Sequence, residues 1–184
     1  MPDFKSLRTC KLEPRYAYIM GQFEEKEGPL REVDLCPRTL LNKIVKYPTQ
    51  CNVLSCCSKA KEDHDISFLL GFETEVIFLE DGVNPPLAIS NHAWSTSLSM
   101  RSSSVGKLIV EEIYDVLTDA GIEVQQFHAE SAPGQYEVVT GPLPPVEAID
   151  ALVFTRDTIY NVAAKHGARA TLYPKVFTQS CIRF

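Results

Sequence analysis

Much of what this chain lacks narrows what it does. The first residues, Met1-Pro2-Asp3-Phe4-Lys5-Ser6, carry no apolar run of the kind that opens a secretory signal. No segment approaches the roughly 20 consecutive apolar residues needed to cross a bilayer, so a cytoplasmic protein with no membrane partner is expected. Cationic excess is missing too: 18 Lys and Arg stand against 24 Asp and Glu, a formal charge of -6. That balance argues against nucleic acid as a partner, because phosphate binding needs clustered Lys and Arg. The cysteines at 10, 36, 51, 56, 57 and 181 lack paired C-x-x-C spacing, which argues against a structural zinc site. With no signal segment, reduced thiols fit better than disulfides. There is no internal repeat. What remains is an ordinary globular composition, 45% hydrophobic and 23% charged over 184 residues. It suits one domain, or one domain with a fragment of another. The acidic balance fits a carboxylate-lined metal site and a merely soluble surface equally well.

Periodicity outlines the elements. Arg15 to Phe23 alternates loosely and reads as a strand, and Glu24 to Pro29 turns the chain. Pro37 opens a short helix carrying Leu40, Leu41, Ile44 and Val45, since proline suits a first helical turn. Lys46 to Asp65 shows no period and reads as a connector. Ile66 to Glu80 is the strongest strand signal: Phe68, Leu70, Phe72, Val76 and Phe78 share one face, and Glu73 and Glu75 share the other. A serine-rich loop, Ser90 to Ser104, carries the lone tryptophan, Trp94. Val105 to Leu117 then repeats at i, i+3, i+4 as an amphipathic helix closed by Gly121. A hairpin follows, Ile122 to Ala129 and Gln135 to Gly141. A second helix starts after Pro144-Pro145, buries Ile149, Leu152, Val153, Ile159, Tyr160 and Ala163, and stops at Gly167. Ala168 to Tyr173 reads as a last strand. The hairpin makes at least part of the sheet antiparallel, so the expected class is α+β rather than doubly wound: a mixed, largely antiparallel sheet with flanking helices.

Four glutamates stand out. If Pro133 and Gly134 are the two central turn residues of the hairpin, Glu130 faces Glu137. Directly opposite residues have Cβ atoms roughly 4.5–5.5 Å apart, where like charges repel. Pro-Gly suits a type II turn better than the primed turns hairpins prefer, so a slipped register is the alternative. Either way, the short connection keeps the two carboxylates close. Two such anions call for a raised pKa, exposure to water, or a cation between them. Glu73 and Glu75 pose the same question on their strand. A hard divalent ion, Mg²⁺ or Mn²⁺, takes carboxylate oxygens. Taken alone, Glu-x-Glu on a strand is an ordinary solvated face. Two carboxylate pairs on bounded strands make a metal site the competing reading.

Motifs extend this. Gly71-Phe72-Glu73-Thr74-Glu75 resembles the first metal motif of the glutamine synthetases, and His128-Ala129-Glu130-Ser131-Ala132-Pro133-Gly134-Gln135-Tyr136-Glu137 resembles their second. Cys36-Pro37-Arg38 is similar to the entry of that family's catalytic domain, and Ala170 to Lys175 to the strand before its substrate loop. The resemblance runs from about Tyr16 to Lys175 and implies part of the glutamine-synthetase catalytic fold. Residues 1–36 would be a remnant of the small N-terminal β domain, 37–175 the N-terminal half of the catalytic domain, and 176–184 a divergent tail. The implied chemistry is ATP-dependent amide formation from glutamate and ammonia through a γ-glutamyl phosphate, with Mg²⁺ or Mn²⁺ as ions. By motif position Glu75, Glu130 and Glu137 resemble the ligands of one ion, and Glu73 a ligand of the ATP-side ion. His128 matches a nucleotide-side or supporting position, and a structural histidine is the equal alternative. Homo-oligomers, stacked rings with shared active sites, are implied as well.

The departures count. After Tyr173-Pro174-Lys175-Val176 the family's Gly-Ser-Gly-x-His-x-His loop does not follow, and its phosphate arginines have no counterpart. The serine-rich insertion around Trp94 suggests a divergent branch with another amine or acid substrate. The alternative to a ligase is a catalytically dead form acting as a binding or regulatory module. Phosphoryl transfer depends on electrostatic stabilisation that those arginines would supply. The 184-residue chain by itself is therefore expected to be inactive. ATP-dependent γ-glutamyl transfer by the purified chain near family rates would overturn that expectation.

Overall fold

The computed structural model describes residues 1–12, 14–25, 35–46, 56–92, 96–101 and 104–177. Trp94, Cys51, Cys181, most of the turn expected before Pro29 and most of the tail expected at 176–184 lie outside the described residues, as do the side chains of Cys56 and Cys57. The chain divides into two compact units, Met1–Gly71 with Pro142–Ala151, and Phe72–Gly141 with Leu152–Phe184.

In the first unit, β1 (Pro2–Thr9) pairs antiparallel with β2 (Ala17–Gly21), Pro2 opposite Gly21 and Thr9 opposite Ala17. Only β2 was legible, and it is shorter than the Arg15–Phe23 expected. The apolar residues of β1, Phe4 and Leu7, are exposed and lie where the pairing register shifts, so no alternation marks it. Helix α1 (Pro37–Lys46) opens on Pro37 as expected. Helix α2 (Cys56–His64) corrects the connector reading of Lys46 to Asp65. Its sequence is polar, so no apolar period announces it. Lys59, Ala60, Lys61 and Glu62 are good helix formers, and the exposed Lys61–Asp65 pair at 2.5 Å lies across its C-terminal end.

Arg38, in the first turn of α1, fixes this unit's charges. Its Nη2 donates to Asp3 at 2.7 Å and to Asp150 at 2.9 Å, and Nη1 donates to the other oxygen of Asp150. Burial disfavours the guanidinium charge, but the Asp150 and Asp3 carboxylates outweigh it and raise the Arg38 pKa. The same Arg38 bond, against a smaller burial penalty, lowers the Asp3 pKa.

The second unit is built on a four-stranded sheet of β3 (Leu70–Glu80), β4 (Val124–Ala129), β5 (Gln135–Leu143) and β6 (Ala168–Thr171), in the order β4-β5-β3-β6. β4 with β5 and β3 with β6 are antiparallel. The Phe78 N–H donates to the Gly134 carbonyl at 2.8 Å and the Thr140 hydroxyl reaches the Phe72 carbonyl at 3.4 Å, so β3 and β5 run oppositely too. Three helices accompany it: α3 (Thr96–Ser99), α4 (Val105–Asp119) and α5 (Pro145–Lys165), of which α5 begins in residues of the first unit. The α3 turn falls in what was expected to be loop between Ser90 and Ser104. The α+β class with a largely antiparallel sheet holds.

Strand alternation gives the sheet two unlike faces. Val76 and Phe78 of β3 join Tyr136 and Val138 of β5 on one face, with the Phe78 and Tyr136 ring centroids 5.6 Å apart. Helix α4 covers it: Ile109, Val110, Ile113 and Leu117 are fully buried, and Tyr114 meets Phe127 of β4 at 5.9 Å. Phe68 and Leu70, expected on the core face of β3, are exposed because the ordered strand begins at Leu70 and its burial starts further along. Helix α5 buries Ala148, Ala151, Phe154, Ile159, Val162 and Ala163, but Val153 and Tyr160, expected inside, are 47% and 42% exposed. Thr155 and Thr158 occupy the buried stripe instead, so the apolar pattern misjudged the helix face by a fraction of a turn. The end of α5 is tied to α4 through Glu112, which accepts from Lys165 at 2.5 Å and contacts His166 at 2.7 Å.

Tyr136 sits where α4 comes closest to the sheet. Its ring is 1% exposed, and its hydroxyl donates to the Ser99 carbonyl at 3.2 Å. Any side chain at Gly106 would overlap that ring and hydroxyl, so α4 can approach only because position 106 is glycine. Overpacking of a filled core costs about 1–3 kcal/mol. Gly106→Ala is thus expected to destabilise the second unit by that amount in urea unfolding, although alanine is the better helix former. A variant as stable as the parent would show that the contact is not limiting.

Candidate metal centre

The face of the sheet opposite Tyr136 carries the charged residues. β5 supplies Glu137 and Gln135, β4 supplies His128, and Glu130 stands at the end of β4. β3 supplies Glu73 and Glu75, both exposed. The β4–β5 register differs from the expected one: His128, not Glu130, lies opposite Glu137, and Ala129 lies opposite Tyr136. The Glu130 N–H donates to the Gln135 carbonyl at 2.8 Å, and the connection holds four residues, Ser131 to Gly134, rather than two. Pro133-Gly134 does not form the primed turn that a two-residue loop requires. Gly134 has φ +69°, and a Cβ there would come within 2.6 Å of the Phe78 carbonyl oxygen that lies beside it. A shift of two residues leaves every side chain on its original face, so the two carboxylates stay together despite the slip.

The structure brings the predicted residues to one place, grouped differently from expectation. His128, Glu130 and Glu137 each offer an atom within 4.8 Å of the other two. His128 Nδ1 lies 3.4 Å from Glu130 Oε1, and Nε2 lies 3.8 Å from Glu137 Oε2. Glu75 stands outside this trio because its carboxylate accepts a 2.6 Å bond from Gln135 Nε2. Gln135 is held in turn by the Ala132 N–H, which donates to its Oε1 at 3.0 Å. Gln135 is the site residue that sequence reasoning passed over, although it lies inside the quoted decapeptide.

Glu137 is the most telling member. It is 7% exposed, and among the described residues its carboxylate accepts no hydrogen bond. Burial pushes its pKa up, His128 pulls it down, and Glu73, Glu130 and Glu75 each push it further up. Glu73, Glu75, Glu130 and His128 therefore all act on Glu137 through space. A carboxylate without a donor on a largely buried residue, among three more carboxylates, is a setting that suits a hard divalent cation.

Comparison with known proteins identifies the family. Residues 34–181 match the family described as glutamine synthetase, catalytic domain. Protein fluG of Emericella nidulans is 35% identical over 96% of this chain, which spans 20% of that relative. The gamma-glutamylpolyamine synthetase GlnA3 of Streptomyces coelicolor is 31% identical over 97% of this chain, which spans 35% of it. The solved structure of a GmaS/ADP complex superposes with a TM-score of 0.71 at 20% identity, over 96% of this chain and 37% of that one. The sequence match and the fold define part of a glutamine-synthetase-type catalytic domain. The chain belongs to the glutamine synthetase catalytic-domain family, and it spans about a fifth to a third of the length of these two curated relatives.

The raised Glu137 pKa has a definite sign. Between the ordinary carboxyl value and the raised one, the folded chain holds a proton that the unfolded chain has released. Ionisation of Glu137 therefore works against the ion-free fold. Its cost is absent below that window, grows as pH rises through it and stays constant above. With chelator present, stability from urea midpoints between about pH 4 and about pH 8 is expected to decline less steeply for Glu137→Gln than for the parent. Superimposable profiles would contradict this.

Proposed function

We propose that this chain is the ion-holding part of an ATP-dependent ligase that joins the γ-carboxylate of glutamate to ammonia or another amine through a γ-glutamyl phosphate. The carrying observation is the convergence of Glu73, Glu75, Glu130, Glu137 and His128 around one buried, donor-less carboxylate. In this reading residues 37–175 are the N-terminal half of the catalytic domain, and residues 1–36 derive from the small N-terminal β domain. Glu75, Glu130 and Glu137 hold the glutamate-side Mg²⁺ or Mn²⁺. Glu73 belongs to the ion on the ATP side. When bound, such ions shield phosphate charge and polarise the carboxylate to be activated. The chain's own contribution is to fix carboxylates on rigid strands, where positioning costs nothing at the moment of reaction. A cytoplasmic setting and assembly into a homo-oligomer belong to the same proposal.

The acceptor is the open variable. The relatives include the Streptomyces gamma-glutamylpolyamine synthetase and a glutamate–isopropylamine ligase of a Pseudomonas species, 26% identical over 95% of this chain. A non-catalytic binding module is the second reading. It is favoured by large exposed apolar side chains such as Phe23, Leu35 and Tyr173.

The discriminating assay measures glutamate-dependent ADP release by the longest natural product that carries this chain, with ammonia, isopropylamine and a polyamine offered in turn. Turnover with at least one amine is expected, lowered about 100-fold or more by Glu130→Gln, as for loss of a transition-state electrostatic contact. Ion binding without any amine-dependent turnover would favour the binding module.

A further inference from the structure

We infer that Gln135 is a positioning residue of the ion centre: its amide, locked by the β4–β5 turn, holds Glu75 at the place from which Glu75 serves the ion. This rests on the function proposed above and adds to it a residue that carries no charge and is not itself a ligand.

Four observations carry it. First, the main chain of Gln135 closes the turn. Its carbonyl accepts from the Glu130 N–H at 2.8 Å, and its N–H donates to the Ala132 carbonyl at 3.0 Å. Second, the turn also fixes the side chain. The Ala132 N–H, which can only donate, meets the amide at 3.0 Å, so the atom facing it is Oε1 and Nε2 points away. There Nε2 donates to Glu75 Oε2 at 2.6 Å, reaching from β5 across to β3. Third, Glu75 needs holding. It is exposed, and it acts through space on Glu137. Like charges repel, so an untethered Glu75 turns toward water. A lysine in place of Gln135 would neutralise the cluster itself and compete with a cation, whereas an amide holds the carboxylate without adding charge. Fourth, the bond occupies Oε2 alone. Among the described residues Oε1 of Glu75 accepts no hydrogen bond and stays available to an ion. Hydrogen bonds that orient ligating carboxylates are worth about 10–100-fold in metal affinity.

The test titrates the 184-residue chain with Mn²⁺ and follows the free ion by its electron paramagnetic resonance signal. Gln135→Met fills about the same space and removes both side-chain hydrogen bonds. It is expected to weaken Mn²⁺ binding about tenfold or more in the parent background. In a Glu75→Ala background, where no carboxylate is left to aim, the loss should be under about twofold. The line shape of bound Mn²⁺ should likewise change with Gln135→Met in the first background and not in the second. Circular dichroism and urea midpoints check the fold. Gln135→Asn, one methylene too short to reach both partners, serves in its place if Gln135→Met is unstable. Equal weakening in both backgrounds is the result of a merely structural role. That outcome, or parent-like binding by Gln135→Met, would overturn the inference and leave the ion centre standing. Failure of the parent to bind Mn²⁺, or parent-like binding by both Glu75→Ala and Glu137→Gln, would overturn the inference and the ion-centre reading together.

Discussion

The seating of β5 between β3 and β4 is the constraint on which the centre depends. Alternation sends Tyr136 and Val138 to the helix-covered side and Gln135 and Glu137 to the other. A buried aromatic is thus the immediate chain neighbour of the buried carboxylate. Tyr136 is pinned by Phe78, the Ser99 carbonyl and the glycine-lined surface of α4. A strand anchored that firmly on one face cannot slide or rotate to relieve crowding on the other. Glu137 therefore stays among like charges because of packing on the far side of its own backbone. The apolar core and the ionic site are two faces of one strand.

How much of this could be read beforehand follows from which forces leave a pattern in sequence. Helix α4 was plain because its apolar residues recur at helical spacing and one face is buried throughout. The central part of β3 was plain for the same reason at period two. Helix α2 left no pattern because its polar sequence offers no apolar residues at helical spacing. β1 was silent because both its faces are largely open to solvent. Val153 and Tyr160 misled because α5 buries threonines where larger apolar residues were available. Periodicity reports burial, and where burial and hydrophobicity part company it reports nothing.

Side-chain alternation and a short connection made the sheet face legible, but not the grouping on it. His128, Glu130 and Glu137 lie together, with Glu73 and Glu75 on the neighbouring strand, and the role of the glutamates as ion ligands belongs to the proposal above. Turn geometry then settled the finer arrangement. A four-residue connection seats His128 opposite Glu137, and Gln135 draws Glu75 aside. Neither outcome is visible in spacing alone: hairpin register depends on the backbone that Gly134 can adopt against Phe78, and the Gln135 bond spans 60 positions in sequence.

The fixed crowding also bears on why the site sits on sheet strands at all. Carboxylates on a mobile loop would splay apart and hydrate, and an arriving cation would have to pay for collecting them. Here Glu130 and Glu137 are already gathered, with the repulsion offset in advance by core packing around Tyr136 and Phe78. The free energy of folding holds the charges together, and on the function proposed above neutralisation by a cation would return it as affinity. Such an exchange weakens the ion-free fold in proportion to the strength with which it binds. Relieving the crowding would therefore stabilise the domain and blunt the centre in one step, the trade-off expected wherever a fold holds a functional site under tension.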